Sequence, residues 1–171
     1  MPPPGERESP DLVPEGTDVN PLNSPLEVGV RALVLLAESH PEPLDLAQLV
    51  VLDHVLLHSG EFDGPPSLHP DLPARGGEIG MKRTVLEQAL LVLIRAGLAG
   101  VQDRNEGLMY AATDRGPVFV DVLEAPYVES LRERAEWVIH HYFPTVDARV
   151  ATREIVNSSF ADPARTETAH G

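Results

Sequence analysis

Between Val51 and Arg83 the chain leaves one strongly apolar helical segment and enters another through about eighteen residues without helix or strand periodicity, a length that compact domains keep only for a loop that packs as its own unit or performs a task. The stretch reads VLDHVLLHSGEFDGPPSLHPDLPARGGEIGMKR, and it concentrates groups capable of chemistry: Asp53, His54, His58, Glu61, Asp63, His69, Arg75, Lys82 and Arg83. Any fold for this chain has to accommodate that loop between two helices. Any function has to account for those side chains.

The helices around it have clear punctuation. Ser24-Pro25-Leu26-Glu27 is a capping-box pattern with proline at the first helical position, which predicts a helix from there to about Ser39. That helix is apolar on most sides and is expected to be central. His40-Pro41-Glu42-Pro43 stops it. A second helix starts at Asp45, with Gln48 three residues on and Leu44 and Leu49 placed as a hydrophobic staple, and is expected to end at Ser59-Gly60 in a left-handed glycine. Beyond the loop, Val85, Leu86, Ala89, Leu90 and Leu93 give a third helix, Ile79 to Ala96, an apolar face ended by Gly97. A hairpin follows, Leu98–Gln102 and Leu108–Ala112, around the polar turn 103–107. Asp114 is placed to cap a short fourth helix with Val118, Phe119, Val122 and Leu123. A fifth, Tyr127–Tyr142, begins after Ala125-Pro126 and ends at Pro144.

The predicted class is therefore mostly α with a small β-hairpin: a winged helix-turn-helix-like domain with extra C-terminal helices, over residues 24–143. Residues 1–23, rich in proline and acid, read as a disordered leader, and 144–171 as a tail holding at most one short helix. No internal repeat is visible. No stretch reaches the roughly eighteen uncharged apolar residues of a membrane span, the N-terminus is unlike a secretory signal, and the absence of cysteine suits the cytoplasm.

Charge limits the partners. The 171 residues carry 27 acids against 13 bases, a net charge of -14, whereas a protein built to grip nucleic acid needs cations to replace phosphate counterions. The net-basic block is 77–100, with Lys82, Arg83 and Arg95 against Glu78 and Glu87. Together with Arg75 and with Arg104 in the wing turn, Lys82 and Arg83 occupy positions that contact phosphate in a winged helix; the same positions suit a protein partner.

The chemical motifs are weaker. His54 and His58 have i, i+4 spacing for a shared metal, with His69, Glu61 or Asp63 as a third ligand, but no glutamate sits between them as a general base. The alternative places His58 against the helix C-terminus and has His69 pin the loop. Gly76-Gly77-Glu78-Ile79-Gly80-Met81-Lys82-Arg83 fails as a phosphate loop, because Met81 separates glycine from lysine and Arg83 stands where serine or threonine belongs. No catalytic constellation, metal or cofactor is expected. Trp137 reads either as core rim or as an interface anchor.

Four spaced blocks point further: Asn23-Ser24-Pro25-Leu26-Glu27-Val28-Gly29; Leu52-Asp53 with Leu56-Leu57-His58-Ser59-Gly60; Gly64-Pro65 with Ser67-Leu68-His69-Pro70; and Glu133-Arg134-Ala135-Glu136-Trp137-Val138. Over about residues 23–140 the chain resembles the middle component of bacterial ABC-three-component systems, which are anti-phage defence operons. The resemblance implies a non-enzymatic winged-helix adaptor in the cytoplasm. Its partners would be a structural-maintenance-of-chromosomes-type ABC ATPase and an effector subunit, with any DNA contact made indirectly through the complex. On that reading Arg75, Lys82, Arg83 and Arg104 are the contact residues, and Asp53, His58, Ser59, Gly60 and His69 are a structural loop motif. The alternative is a sequence-specific DNA-binding regulator on the same fold.

Overall fold

Ser24 Oγ accepts a hydrogen bond from the Glu27 amide at 3.3 Å, and helix α1 runs from Pro25 to Ser39. The computed structural model describes residues 24–69 and 78–146. Val28, Ala32, Leu33, Val34, Leu35 and Leu36 are buried around much of the circumference of α1, which packs against every other helix of the described chain. Complete burial of one such leucine removes about 2–3 kcal/mol of apolar hydration cost, so this helix dominates the core.

Strand β1 (Leu44–Asp45) precedes α2 (Leu46–Leu57). The box at the start of α2 is reciprocal: Asp45 Oδ1 accepts from the Gln48 amide at 2.7 Å, and Gln48 Oε1 accepts from the Asp45 amide at 2.8 Å. Helix α3 (Glu78–Arg95) ends as its glycine requires. Gly97 takes φ +71°, its amide donates to Ile94 O, and the Leu98 amide reaches back to Leu93 O, closing a Schellman motif over two buried leucines.

Strands β2 (Ala99–Arg104) and β3 (Gly107–Ala112) form the hairpin, followed by α4 (Arg115–Asp121) and α5 (Pro126–Trp137). A π-helical turn (Val138–Tyr142) and a 3₁₀ turn (Phe143–Thr145) extend α5. The sheet is antiparallel, in the order β1-β3-β2, with Leu44 opposite Tyr110 and Val101 opposite the same residue on the other side. This is a mostly helical fold with a small sheet, and its element order is compatible with a winged helix.

Several local expectations need correction. The sheet has a third strand, because the extended residues that lead into the cap of α2 lie alongside β3. The hairpin turn is two residues, Asn105 and Glu106, with Arg104 paired to Gly107; φ of +121° at Gly107 lets pairing begin at once. Asp114 lies at helical angles and does not cap α4, its carboxylate standing 3.5 Å from His40 Nε2. Gly60 does not end α2 in a left-handed turn. The chain continues into a 3₁₀ turn, Ser59–Phe62, and Asp63 takes the positive φ.

Candidate interaction surface

The described part of the long loop is a folded unit. Ser59, fully buried, donates from Oγ to Pro65 O at 2.8 Å, and its own carbonyl accepts from the Gly64 amide at 2.9 Å. The Gly60 amide donates to Ser67 Oγ at 3.1 Å, and a Cβ at residue 60 would stand 3.0 Å from that oxygen. Gly60 is therefore required for close approach. The amides of Leu68 and His69 both return to Leu57 O, at 2.9 and 3.2 Å, tying the loop to the end of α2.

Helix α5 grips this unit. Arg134 donates from Nε and Nη2 to Pro66 O at 3.1 and 3.0 Å, while its Nη1 donates to Ser130 O and to Glu133 Oε2. A Cβ on Gly64 would lie 2.7–2.8 Å from three carbons of the Trp137 ring, so bare backbone rests on the indole face. His69 Nε2 and the Tyr127 hydroxyl are 3.1 Å apart. Sequence blocks some seventy residues apart thus form one joint.

A polar layer lies beneath. Arg31, 1% exposed, donates from Nε to Asp53 Oδ1 at 2.6 Å and from Nη2 to Oδ2 at 3.2 Å, joining α1 to α2. Burial works against the guanidinium charge, but the Asp53 carboxylate, with Tyr127 and Glu27 adding to it, outweighs burial, and the Arg31 pKa is raised. Burial, then Lys82, then His58 push the His54 imidazole down to about 4. Burial and then Arg31 likewise lower the pKa of His69, and burial chiefly raises that of Tyr127.

The three histidines are not brought to one point. The His54 and His58 rings lie 4.8 Å apart centre to centre, His58 Nδ1 is 3.4 Å from Glu61 Oε1, and His69 faces Tyr127. Among the described residues no group of three or more His, Cys, Asp or Glu is arranged around a common metal position. Asp53 belongs to the interior of α2; His58, Ser59, Gly60 and His69 belong to the loop joint.

Of the four cations singled out in the sequence, Arg75 lies outside the described residues. Lys82 and Arg83 sit in the N-terminal part of α3. Lys82 Nζ is 3.5 Å from His54 Nδ1, and Arg83 Nε is 3.5 Å from Glu87 Oε1. Arg104, at the hairpin tip, donates twice to Gln102 Oε1, at 2.9 and 3.3 Å. Among exposed Thr84, Glu87, Gln88 and Arg95, α3 also exposes the apolar Met81 (70%), Leu91 (52%) and Val92 (55%), and the hairpin exposes Val101 and Leu108.

A family model for the ABC-three component (ABC-3C) system Middle Component 2 matches residues 21–161. The chain belongs to that family. As a Middle Component 2 it is part of an ABC-ATPase-based defence system, and the match spans every described element. No curated protein and no solved structure matches the chain. Among the described residues no helix is long and apolar enough to cross a membrane.

Three residues that build the Middle Component 2 joint escape sequence reasoning. Arg31 had a signal, since a lone arginine within a helix apolar on all sides needs a buried anion. Arg134 had none: its acceptor is a main-chain carbonyl. Tyr127 had none either, its partner lying in a loop without periodicity.

Proposed function

We propose that this Middle Component 2 is a non-enzymatic cytoplasmic adaptor, linking a structural-maintenance-of-chromosomes-type ATPase to an effector component of the same defence system. The observation that carries the reading is the exposed apolar pair near the end of α3. Leu91 and Val92 are each more than half exposed, while Leu86, Ala89, Leu90 and Leu93 are buried, and Gln88 and Arg95 stand exposed beside the pair. In a winged helix the corresponding helix meets DNA through cations. Here Arg83 is shared with Glu87, Arg104 with Gln102, and Lys82 sits against His54. An adjacent pair of exposed apolar side chains suits a protein partner, and a net charge of -14 opposes phosphate.

The test compares two variants of the full chain, Leu91→Ser/Val92→Ser and Lys82→Glu/Arg83→Glu, each in a pull-down of the other components and in a duplex-DNA titration. The apolar double variant should lose at least about tenfold in association, since anchors at an interface centre commonly exceed 1–2 kcal/mol each. The charge reversal should weaken association less, and more at low salt than at high. A sequence-specific regulator behaves otherwise: the wild-type chain alone binds a particular duplex with a steep salt slope, and the charge reversal abolishes it. That result, with association intact in both variants, would overturn the adaptor reading.

A further inference from the structure

An adaptor needs a second contact surface, and the segment of α4 carries a second set of exposed apolar side chains. Val118 (63% exposed), Phe119 (41%) and Val122 (65%) project from a seven-residue helix whose buried positions are Gly116 and Val120. Apolar residues spaced i, i+1, i+4 on a short helix normally enter the core. These cannot, because α4 already meets α1 and β3 at its closest point. A Cβ on Gly116 would lie 2.9 Å from both Ala112 Cβ and Leu98 O. The three side chains instead line a groove of about 320 Å³ together with Leu98, Asp114 and Arg115. The Arg115 cation is turned onto the end of α3, its Nη1 3.5 Å from Ala96 O and 3.0 Å from where a Cβ of Gly97 would be. The floor of the groove is left apolar.

Charge identifies the occupant. Arg132 of α5 donates to Asp121 of α4 at 2.8 Å, bringing that flank of α5 to the end of α4. On α5, Glu129, Glu133 and Glu136 are all exposed at i, i+4 and i+7, and Arg132 is one turn from both Glu129 and Glu136 on that flank. Asp114 lines the groove itself, and Glu124, two residues beyond Val122, is exposed as well, so the row and the flank of α5 joined to it through Arg132 are rich in acid. A second copy of the chain would bring acid against acid, on molecules of net charge -14 each. A helix with an apolar stripe flanked by lysine and arginine meets both features at once, in the helix-in-groove mode of recognition.

We propose that the α4 groove and the acidic stripe of α5 dock a basic-flanked amphipathic helix belonging to another component of the defence system. The proposal rests on the adaptor reading. It is tested in the complex assembled from all components, with a photo-cross-linking amino acid at position 118 and, separately, the variants Val118→Ser/Val122→Ser and Glu129→Lys/Glu136→Lys. The cross-link should land on a segment with apolar residues at i, i+3 or i+4 and i+7 flanked by Lys or Arg. Each double variant, checked for an unchanged melting temperature, should weaken retention of that component about tenfold, the charge variant chiefly at low salt. A cross-link to a second copy of this chain, or to an acidic or extended segment, overturns the proposal. So does retention within about twofold of wild type in both variants. If the wild-type chain retains neither component, the adaptor reading itself falls, and this inference with it.

Discussion

Replacing Asp53 by alanine leaves Arg31 buried without its counter-charge. Both hydrogen bonds, of 2.6 and 3.2 Å, disappear from a guanidinium that is 1% exposed. Deprotonation offers no escape, because an arginine remains charged at any accessible pH. Breaking a buried ion pair on one side costs about 3–5 kcal/mol, a large fraction of the roughly 5–15 kcal/mol that holds a domain together. For a domain of this size that is a fall in Tm of roughly 10–20 °C. Replacing both partners by apolar residues of similar volume, Arg31→Met with Asp53→Leu, should cost within about 1 kcal/mol of nothing or even stabilise, since it removes the desolvation penalty along with the attraction. Tyr127, which also hydrogen-bonds Arg31, keeps His69 as a partner in that variant. Urea melts followed by far-UV circular dichroism and by the fluorescence of Trp137, the chain's one tryptophan, give the two single variants, the double variant and their coupling. A cost below about 1 kcal/mol for Asp53→Ala, or a double variant as unstable as the sum of the singles, would refute the buried pair as the link between α1 and α2.

Two further outcomes are expected. Gly64→Ala forces a methyl to within 2.7 Å of the Trp137 ring and should destabilise by about 1–3 kcal/mol, with a changed near-UV spectrum; unchanged stability and spectrum would mean that the loop does not rest on the indole. His54 has a pKa depressed from 6.5 to about 4, so its contribution to stability is complete above pH 6.5 and is lost as the pH falls toward 4, by on the order of 2–3 kcal/mol, with His69 acting in the same direction. Urea midpoints between pH 7 and 4 should therefore fall more steeply for the wild type than for His54→Gln, and parallel curves would contradict the buried neutral imidazole.

What was legible in the sequence is what local chemistry decides. Asp45 and Gln48 mark the start of α2, and Gly97 the end of α3, because a cap's geometry depends on its own few residues. Periodicity separated Leu86, Ala89, Leu90 and Leu93 as a buried stripe. It could not say that Val118, Phe119 and Val122 face outward, since spacing shows that residues share a face and not which way that face points. Nor could it show that the loop is folded. Most of the acceptors that hold it are main-chain carbonyls, of Leu57, Ser59, Pro65 and Pro66, which every residue type possesses. Trp137, read as either core rim or interface anchor, is half-buried against Gly64. His54 and His58 share a helix face as their spacing requires, but the ring of His69 is turned to Tyr127 of α5. The leader 1–23, Arg75 and residues 147–171 lie outside the described residues.

The most direct measurement of the central claim is the mass of the assembly formed by the ATPase and effector components with and without this chain, by mass photometry at near-physiological salt. One species containing all three is expected when the chain is present, and separate ATPase and effector species when it is omitted. Equal association of the two in its absence would contradict a bridging role for Middle Component 2.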